Sequence, residues 1–473
     1  MILRYFYDER LAQASYLVGC AKTGEALIVD PSREIQTYID AAEREGVRIS
    51  HVAETHIHAD YVSGSRELAA ATRALLYVSG EGGPDWQYAF GTESGVVQVM
   101  DGDTFMVGNV KVEILHTPGH TPEHIAFMIT DTAGADKPMG IFTGDAVFVG
   151  DIGRPDLLEA AAGVVGSADS GAHQQFKTVQ RFKSLPDYLQ LWPGHGAGSA
   201  CGKALGAVPS TTLGYEKLFS PAFQIDDENE FVAWLLDGQP EPPRYFAQMK
   251  KVNREGPALL ADLPAIKQMS RAQIDTLIDA GAFVNDVRDR DAFADGHIPG
   301  TISTPASSSK VSTYIGSLYD FRAPVALVVP DGAALDEAVI ALRGVGVDQI
   351  VGVLWANDLG ADLDTLPQMT ARDLADEMAS GSATALDIRN RSEWQDRHVV
   401  GAKHIPLAEL YRRSAELPAS RPFGVYCASG YRAQVAVSWL RANGFDNAVL
   451  MGDSDTVWSA ALPTESGVEL QTA

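Results

Sequence analysis

The chain has 473 residues and a formal net charge of −25, which comes from 62 acidic and 37 basic side chains. Such a length is typical of about three domains of ordinary size, and the acidic excess argues against binding to nucleic acid or to anionic membrane. No apolar run reaches the ~18 residues of a membrane-spanning helix, and the segment MILRYFYDERLAQ lacks the apolar core of a signal peptide. Three cysteines in so long a chain do not make a disulfide framework, so we expect a cytoplasmic protein with reduced thiols.

Residues 1–245 alternate short apolar runs with glycine-rich turns. Six runs are typical of buried strands: ASYLVGC, EALIVD, ISHVAETH, KVEILHTPGH, IAFMIT and MGIFTGD. The segment SREIQTYIDAAEREG is typical of an amphipathic helix, and Gly46 is placed to end it. This mixture predicts a layered α/β domain over 1–245. A linker over 246–265 is expected to follow, because proline and charged residues are frequent there.

Histidines and aspartates lie where several of these strands end. His56 and His58 occupy alternate positions in AETHIHADYVSG, so they share one face, and Asp60 continues it. Turns after other strands carry His116, His120, Asp145 and His195. Scattered structural histidines are the alternative, but His and Asp side chains at several strand ends are typical of a metal site.

The motifs THxHxD, TPGHT, TGD and PGH, in this order, resemble the metallo-β-lactamase fold. The resemblance covers the first domain and implies an αββα sandwich with its metal site at one edge of the two sheets. Hydrolases of this fold, such as glyoxalase II, usually carry HxHxDH and bind two metal ions. Tyr61 stands at the position of the final histidine. Because a neutral tyrosine is a poor zinc ligand, we expect a single metal.

A single metal held by two histidines and an aspartate is typical of non-haem Fe(II) oxygenases. Within this fold, the arrangement resembles the persulfide dioxygenase family. The resemblance implies one Fe(II) per chain, bound by His56, His120 and Asp145. Three further residues match family positions that would lie near the iron in a dioxygenase and bind metal in a binuclear hydrolase: His58, Asp60 and His195. The residues leave both alternatives open.

The segment GDAVFVGDIGRPD also resembles the persulfide dioxygenases, and it implies that Arg154 and Asp156 lie at the substrate pocket together with Tyr61. A surface arginine in a turn is the alternative for Arg154. Cys201, in a glycine-rich segment, is either a thiol that receives sulfane sulfur or a small buried hydrophobe. Ala197 replaces a tyrosine that is usual in the family, which leaves the carrier thiol open.

The remaining chain contains an internal repeat. DVRDRDAFADGHIPGTISTP begins at Asp286 and DIRNRSEWQDRHVVGAKHIP at Asp387, a spacing of 387 − 286 = 101 residues. An apolar strand and a helix follow each copy. The repeat predicts two homologous α/β domains, over 266–355 and 369–465.

The second copy carries a cysteine loop, CASGYR, between a strand and a helix. Backbone N–H groups and the helix N-terminus can stabilise a thiolate or persulfide at Cys427, and Arg432 can hold an anionic acceptor. The loop resembles the rhodanese active loop C-x-x-G-x-R, and the residues between these two are Ala428, Ser429, Gly430 and Tyr431. Phosphatases, with a related loop one residue longer, are the alternative. The first copy places Pro330 or Asp331 at the position of the cysteine, so we expect it to be inactive.

Together, these motifs resemble fusions of a persulfide dioxygenase with tandem rhodanese domains. The resemblance implies that the iron domain uses O2 to oxidise a low-molecular-weight persulfide, such as glutathione persulfide, to sulfite and thiol. The rhodanese domain would then form or consume thiosulfate. The main alternative is a glyoxalase II-like binuclear zinc thioester hydrolase with a sulfurtransferase appendage, and a non-catalytic sulfide sensor is a third. Related proteins of this fold often form homo-oligomers.

Overall fold

A computed structural model of the protein describes residues 1–157, 159, 166–453 and 462–467. The chain forms two compact units. Unit 1 comprises Met1–Asp262 and Gly344–Gly346, and unit 2 comprises Leu263–Arg343 and Val347–Ala473. Residues 454–461, near the end of the second predicted repeat domain, lie outside the described residues.

Unit 1 contains two six-stranded sheets. The strands of the first sheet lie side by side in chain order: β1 (Ile2–Asp8), β2 (Gln13–Cys20), β3 (Glu25–Val29), β4 (Arg48–Ala53), β5 (Leu75–Ser79) and β6 (Val96–Val99). The second sheet is built in the same way: β7 (Thr104–Val107), β8 (Val110–His116), β9 (Ile125–Asp131), β10 (Gly140–Gly144), β11 (Gln190–Pro193) and β12 (Thr211–Thr212). The six predicted apolar runs form β2, β3, β4, β8, β9 and β10, so these strand predictions are confirmed.

The facing sides of the two sheets form the central core of unit 1. Alternate residues of β2 and β8, such as Tyr16, Val18, Val112 and Ile114, belong to one buried cluster, as the two-residue period of a strand requires. Helices pack on the outer faces: α1 (Gln36–Glu45), α2 (Ser65–Thr72), α3 (Ser167–Lys183), α4 (Leu213–Phe219), α5 (Pro221–Gln224) and α6 (Glu228–Leu236). The predicted αββα sandwich is therefore confirmed. Gly46 ends α1 in a left-handed conformation, with φ of 67°.

The segment predicted as a linker contains helix α7 (Tyr245–Glu255). Phe246 and Met249 are buried on one face of this helix. Asn253, on the same buried face, donates from Nδ2 to the carbonyl oxygens of His58 and Tyr61, at 2.8 and 2.7 Å. The helix thus supports the loop that carries the first metal motif. Its proline- and charge-rich surroundings obscured the helical period.

Unit 2 contains two five-stranded parallel sheets that repeat one topology. The first holds β13 (Lys267–Gln268), β14 (Phe283–Asp286), β15 (Ile302–Ser303), β16 (Val325–Val329) and β17 (Ile350–Trp355), in the order β13-β17-β16-β14-β15. The second holds β18 (Gln368–Met369), β19 (Thr384–Asp387), β21 (Lys403–His404), β22 (Phe423–Tyr426) and β23 (Ala448–Met451), in the order β18-β23-β22-β19-β21. A separate antiparallel pair joins β20 (His398–Val399) to β24 (Thr464–Glu465).

Helices alternate with these strands, as expected for parallel sheets. The first copy contains α8 (Arg271–Asp279), α9 (Arg290–Asp295), α10 (Val311–Leu318) and α11 (Gly332–Gly344). The second contains α12 (Ala371–Ser380), α13 (Arg391–Asp396), α14 (Leu410–Arg413) and α15 (Tyr431–Ala442). Among all helices of the described ranges, none is long and apolar enough to cross a membrane.

The repeated Asp-x-Arg motif has the same local structure in both copies. Asp286 and Asp387 end β14 and β19, and each pairs with the arginine two residues later, Arg288 or Arg389, at 2.6 Å. Both aspartates are fully buried. A buried carboxylate needs such a partner because an unpaired charge is costly in the interior.

The strand register corrects one detail of the repeat. Relative to the repeated aspartates, the register makes Val329 the counterpart of Cys427. The sequence had placed Pro330 or Asp331 there. The difference arises because β16 extends through Val329, whereas β22 ends one residue before the cysteine. The first copy still lacks a thiol at this position.

Candidate metal centre and sulfur-transfer loop

The candidate metal ligands lie in loops that directly follow strands of unit 1. The loop after β4 carries His56 and His58, and Asp145 immediately follows β10. Because β10 and β11 run parallel, Asp145 and His195 leave the sheet on the same side. His120 lies in the turn between β8 and β9. The topology therefore collects residues that are far apart in sequence.

His56, His120 and Asp145 form one compact buried group, whose ligand atoms all lie within 4.8 Å of one another. Asp145 Oδ2 is 3.5 Å from His120 Nε2 and 4.0 Å from His56 Nε2. His116, another candidate from the sequence, is outside this group. Its Nε2 lies 2.8 Å from the carbonyl oxygen of Pro122.

Neighbouring groups fix the tautomers of the two histidines. His120 Nδ1 lies 2.8 Å from the carbonyl oxygen of Arg154, and since a carbonyl can only accept, this nitrogen carries the proton. His56 Nδ1 lies 2.9 Å from Thr55 Oγ1, which donates its own proton to Asp30, so His56 Nδ1 is also a donor. Each ring therefore presents an unprotonated Nε2 toward Asp145, as metal-bound histidines do.

Burial and local charge leave these side chains in forms that bind a cation. Burial, followed by the charge of neighbouring imidazoles, lowers the pKa of His56 well below its ordinary value, and burial lowers the pKa of His120. Burial would raise the pKa of Asp145, but the surrounding histidines lower it overall. Among the described residues, His56 Nε2 and both carboxylate oxygens of Asp145 have no hydrogen-bond partner. Because buried unpaired polar groups are costly, a divalent cation fits this donor set.

Asp60, His195 and Cys201 form a second buried group, with ligand atoms that also lie within 4.8 Å of one another. His195 Nδ1 donates to the carbonyl oxygen of Ala12 at 3.0 Å. Its Nε2 lies 3.2 Å from Asp60 Oδ2 and 3.5 Å from Asp145 Oδ1. Burial, with the charges of Asp60 and Asp145, raises the pKa of the Cys201 thiol well above its ordinary value. Asp145 thus lies between the two groups.

His58 belongs to a third group, with Asp30 and Glu54. Its Nε2 lies 3.2 Å from a carboxylate oxygen of each. Burial would lower the pKa of His58, but the two carboxylates raise it well above its ordinary value. The Tyr61 ring lies 4.5 Å from the His58 ring, and the Tyr61 hydroxyl donates to the backbone carbonyl of Asp30 over 3.4 Å. Tyr61 is therefore directed toward the backbone.

Three buried residues that organise this region were not predicted from the sequence: Asp30, Glu54 and His124. His124 Nε2 accepts a hydrogen bond from the backbone N–H of Asp145 at 3.0 Å, and its Nδ1 lies 2.7 Å from Thr117 Oγ1. His124 thereby holds the backbone that carries the Asp145 carboxylate. For Asp30 and Glu54 the available signal was position, because each residue directly follows a strand, β3 or β4.

The Arg154 side chain is almost completely buried and ties three segments of unit 1 together. Its guanidinium forms a bidentate ion pair with Asp156, at 2.7 and 2.6 Å. It also donates to the carbonyl oxygens of Ala200 and Pro240, at 3.1 and 2.5 Å. Because the Arg154 carbonyl accepts from His120, these contacts also position a candidate ligand.

In unit 2, Cys427 directly follows β22 and is buried. The Gly430 N–H donates to Cys427 Sγ at 3.1 Å. Gly430 has φ of 83°, a left-handed conformation that glycine adopts without a steric cost. Arg432 forms a bidentate ion pair with Glu393, at 2.6 and 2.8 Å. Glu393 therefore holds the guanidinium of Arg432, the side chain that the sequence predicts to bind an anionic acceptor.

Similarity to known proteins agrees with this architecture. The Metallo-beta-lactamase superfamily model matches residues 8–195, and the Rhodanese-like domain model matches residues 370–461. A "Hydroxyacylglutathione hydrolase" from Polaromonas sp. (strain JS666 / ATCC BAA-500) is 30% identical over 241 residues, which make up 48% of this chain and 82% of the relative. The chain belongs to the metallo-beta-lactamase superfamily.

Two further likenesses extend this comparison within the superfamily. A crystal structure of a metallo-beta-lactamase from Staphylococcus aureus subsp. aureus COL is 45% identical, with a TM-score of 0.69, and the match covers 75% of this chain and 99% of that one. The "Persulfide dioxygenase ETHE1, mitochondrial" of Bos taurus is 26% identical over 199 residues, 41% of this chain and 68% of the relative. A superfamily domain followed by a rhodanese-like domain is thus confirmed, and the relatives include both a hydrolase and a dioxygenase.

Proposed function

We propose that this superfamily member is a persulfide dioxygenase joined to a thiosulfate sulfurtransferase. The first activity converts a low-molecular-weight persulfide, such as glutathione persulfide, according to RSSH + O2 + H2O → RSH + sulfite + 2 H⁺. The observation that carries the proposal is the buried group of two neutral imidazoles and one carboxylate, His56, His120 and Asp145. The same chain also carries the Cys427 loop, which handles sulfur in the proposed second activity.

The proposed cofactor is one Fe(II) per chain. His56, His120 and Asp145 would hold the iron, which when bound would mediate electron transfer from the sulfane sulfur to O2. The protein contributes fixed ligands. Thr55 and the Arg154 carbonyl hold the protons of His56 and His120 at Nδ1, so each Nε2 stays available. His124 holds the Asp145 backbone.

The presence of Tyr61 favours a site with one metal ion over a site with two. Binuclear hydrolases of the superfamily place a histidine at this position, whereas the Tyr61 hydroxyl contacts the carbonyl of Asp30. Burial, with the charges of Asp30 and Glu54, raises the pKa of this phenol well above its ordinary value. A phenol that stays protonated is a poor metal ligand. A second metal would therefore lack one nitrogen ligand.

Sulfur transfer is proposed to proceed through a persulfide on Cys427. The Cys427 thiolate attacks the outer sulfur of thiosulfate and forms a new S–S bond. The S–S bond of thiosulfate breaks, and sulfite leaves with the electron pair. The Gly430 N–H, 3.1 Å from Cys427 Sγ, can stabilise the anionic sulfur. In the reverse direction, Cys427 takes the outer sulfur of the low-molecular-weight persulfide and releases the thiol. Sulfite then attacks the outer sulfur of the Cys427 persulfide, and thiosulfate forms as the Cys427 thiolate leaves.

A binuclear zinc thioester hydrolase is the second candidate function. The observation that favours it is the group of Asp60, His195 and Cys201, which faces Asp145 from the other side. An aspartate between two metal positions is typical of binuclear sites. The hydrolase identity of one relative points the same way.

An oxygen electrode distinguishes the two functions. With glutathione persulfide, the protein reconstituted with Fe(II) should consume O2 and form an equal amount of sulfite and thiosulfate combined, because the Cys427 site converts part of the sulfite to thiosulfate. It should leave S-lactoylglutathione intact. Thioester cleavage without O2 uptake would contradict the proposal. Cys427→Ser should abolish sulfur transfer from thiosulfate to cyanide and leave O2 uptake unchanged. Transfer that survives this change would remove Cys427 from its proposed role.

A further inference from the structure

The first repeat, which lacks a cysteine at the active-loop position, contacts the cysteine loop of the second repeat through Arg290. Arg290 begins α9 of the first repeat, and its Nη1 donates to the carbonyl oxygen of Ser429 at 3.1 Å. Its guanidinium lies 4.6 Å from the centre of the Tyr431 ring. A Cβ atom added to Gly430 would lie 2.5 Å from Arg290 Nη2. The arginine therefore packs directly against the loop.

A polar network fixes Arg290 in this position. Arg290 Nε donates to Gln434 Oε1 at 3.2 Å, and Gln434 Nε2 donates back to the Arg290 carbonyl oxygen at 3.0 Å. Gln434 Nε2 also lies 3.0 Å from Ser303 Oγ, and the Ser303 N–H donates to Ser438 Oγ at 3.0 Å. Gln434, Ser303 and Ser438 are buried. The two repeats are thus joined through contacts that hold the arginine at the loop.

The contact involves the peptide group that binds the sulfur. The Ser429 carbonyl and the Gly430 N–H belong to the same peptide unit. Arg290 donates to the carbonyl oxygen of this peptide unit. The N–H of the same unit, which belongs to Gly430, donates to Cys427 Sγ at 3.1 Å. Hydrogen bonds in a chain polarise one another, so a cation at the carbonyl strengthens the N–H as a donor. The peptide transmits the arginine's charge to the sulfur.

We propose that Arg290 of the cysteine-less repeat is a positioning residue for sulfur transfer, which orients and polarises the Ser429–Gly430 peptide toward the thiolate and persulfide of Cys427. The inference rests on the proposed sulfur transfer at Cys427. It assigns the first repeat a part in the reaction, although this repeat carries no nucleophile.

Tyr314 is a second residue of the first repeat near the same loop. It lies on α10, which packs against α15, the helix that follows the loop. Burial raises the pKa of the Tyr314 phenol, the nearby Arg432 charge lowers it, and the Cys427 charge adds to the increase. The packing of these two helices brings a second element of the first repeat close to the helix that follows the loop.

The test compares Arg290→Met with Arg290→Lys in the full chain. We expect Arg290→Met to lower the rate of sulfur transfer from thiosulfate about tenfold, and Arg290→Lys to restore most of it because the charge is kept. The control is Arg322→Met, which changes an exposed arginine of the same repeat and should change the rate by less than about twofold.

Alkylation of Cys427 by iodoacetamide at pH 7 supplies a readout that does not depend on turnover. The measurement is made in a Cys20→Ser, Cys201→Ser background. Loss of polarisation should slow alkylation about threefold in Arg290→Met. A merely structural role would loosen the loop, expose the buried sulfur and accelerate alkylation, which would overturn the inference, as would an unchanged rate. If Arg290→Met does not fold, Arg290→Gln replaces it. Absence of sulfur transfer in the unmodified protein would refute the proposed function alone, since the alkylation comparison still decides the role of Arg290.

Discussion

Replacing Arg154 by methionine separates an architectural role from a role in binding substrate. The guanidinium makes two hydrogen bonds to Asp156 and one each to the carbonyls of Ala200 and Pro240. Methionine fills a similar space but donates none of these bonds. The Asp156 carboxylate and the two carbonyls would then lose their partner.

The expected cost follows from these contacts. Removing one partner of a buried ion pair costs about 3–5 kcal/mol, because the other charge stays unpaired. The Asp156 side chain is 20% exposed, so water replaces part of the lost contact, and we expect a loss of about 3 kcal/mol in the free energy of unfolding. The Arg154 carbonyl also accepts from His120, and loss of such support weakens metal binding by about 10- to 100-fold.

Urea unfolding and metal content of Arg154→Met test this reasoning, with exposed Arg44→Met as the control. We expect Arg154→Met to lose stability and bound metal together, and Arg44→Met to match the unmodified protein. A variant with full stability and full metal content, but with a raised KM for the persulfide, would show instead that Arg154 contacts substrate, as the sequence implied.

Three further predictions concern buried residues. Tyr61→Phe should keep the metal content unchanged and cost about 1 kcal/mol of stability, because it removes only the hydrogen bond to Asp30; loss of metal, measured by mass spectrometry, would contradict this. Burial raises the pKa of Glu123 to about 7. Between about pH 4.3 and pH 7 the folded protein therefore keeps a proton on Glu123 that the unfolded chain has released. Metal-free protein should therefore lose up to about 3 kcal/mol of stability as pH rises from about 4 to 8, and Glu123→Gln should not; equal slopes in urea titrations would refute the assignment. Asp387→Asn should lower the free energy of unfolding by about 3–5 kcal/mol because Arg389 loses its buried partner, and an unchanged urea midpoint would be inconsistent with that pair.

The fold and the candidate metal-binding group were accessible from the sequence because their signals are local. Each candidate ligand lies in a short motif at the end of an apolar run, and parallel neighbouring strands carry their ends to the same side. The register of β10 with β11 therefore brings Asp145 and His195 together. The rhodanese-like loop is contained in six residues, CASGYR, between a strand and a helix.

The residues that the sequence did not reveal act through long-range contacts. His124 matters because its ring meets the backbone of Asp145, 21 residues away, and Asn253 matters because it binds the loop of His58 across 195 residues. Arg290 reaches Ser429 across 139 residues. None of these pairs leaves a periodic or motif signal in the sequence, because each contact depends on how the folded strands, helices and loops pack against one another. Propensity and spacing report only local structure.

The metal content of protein purified without air tests the central claim most directly. If the protein is the proposed dioxygenase, each chain contains a single iron, held by His56, His120 and Asp145, and the His120→Ala variant loses this iron. Two zinc ions per chain, both lost when Asp145 is replaced by alanine and one lost when His195 is replaced, would contradict the account and establish the binuclear alternative.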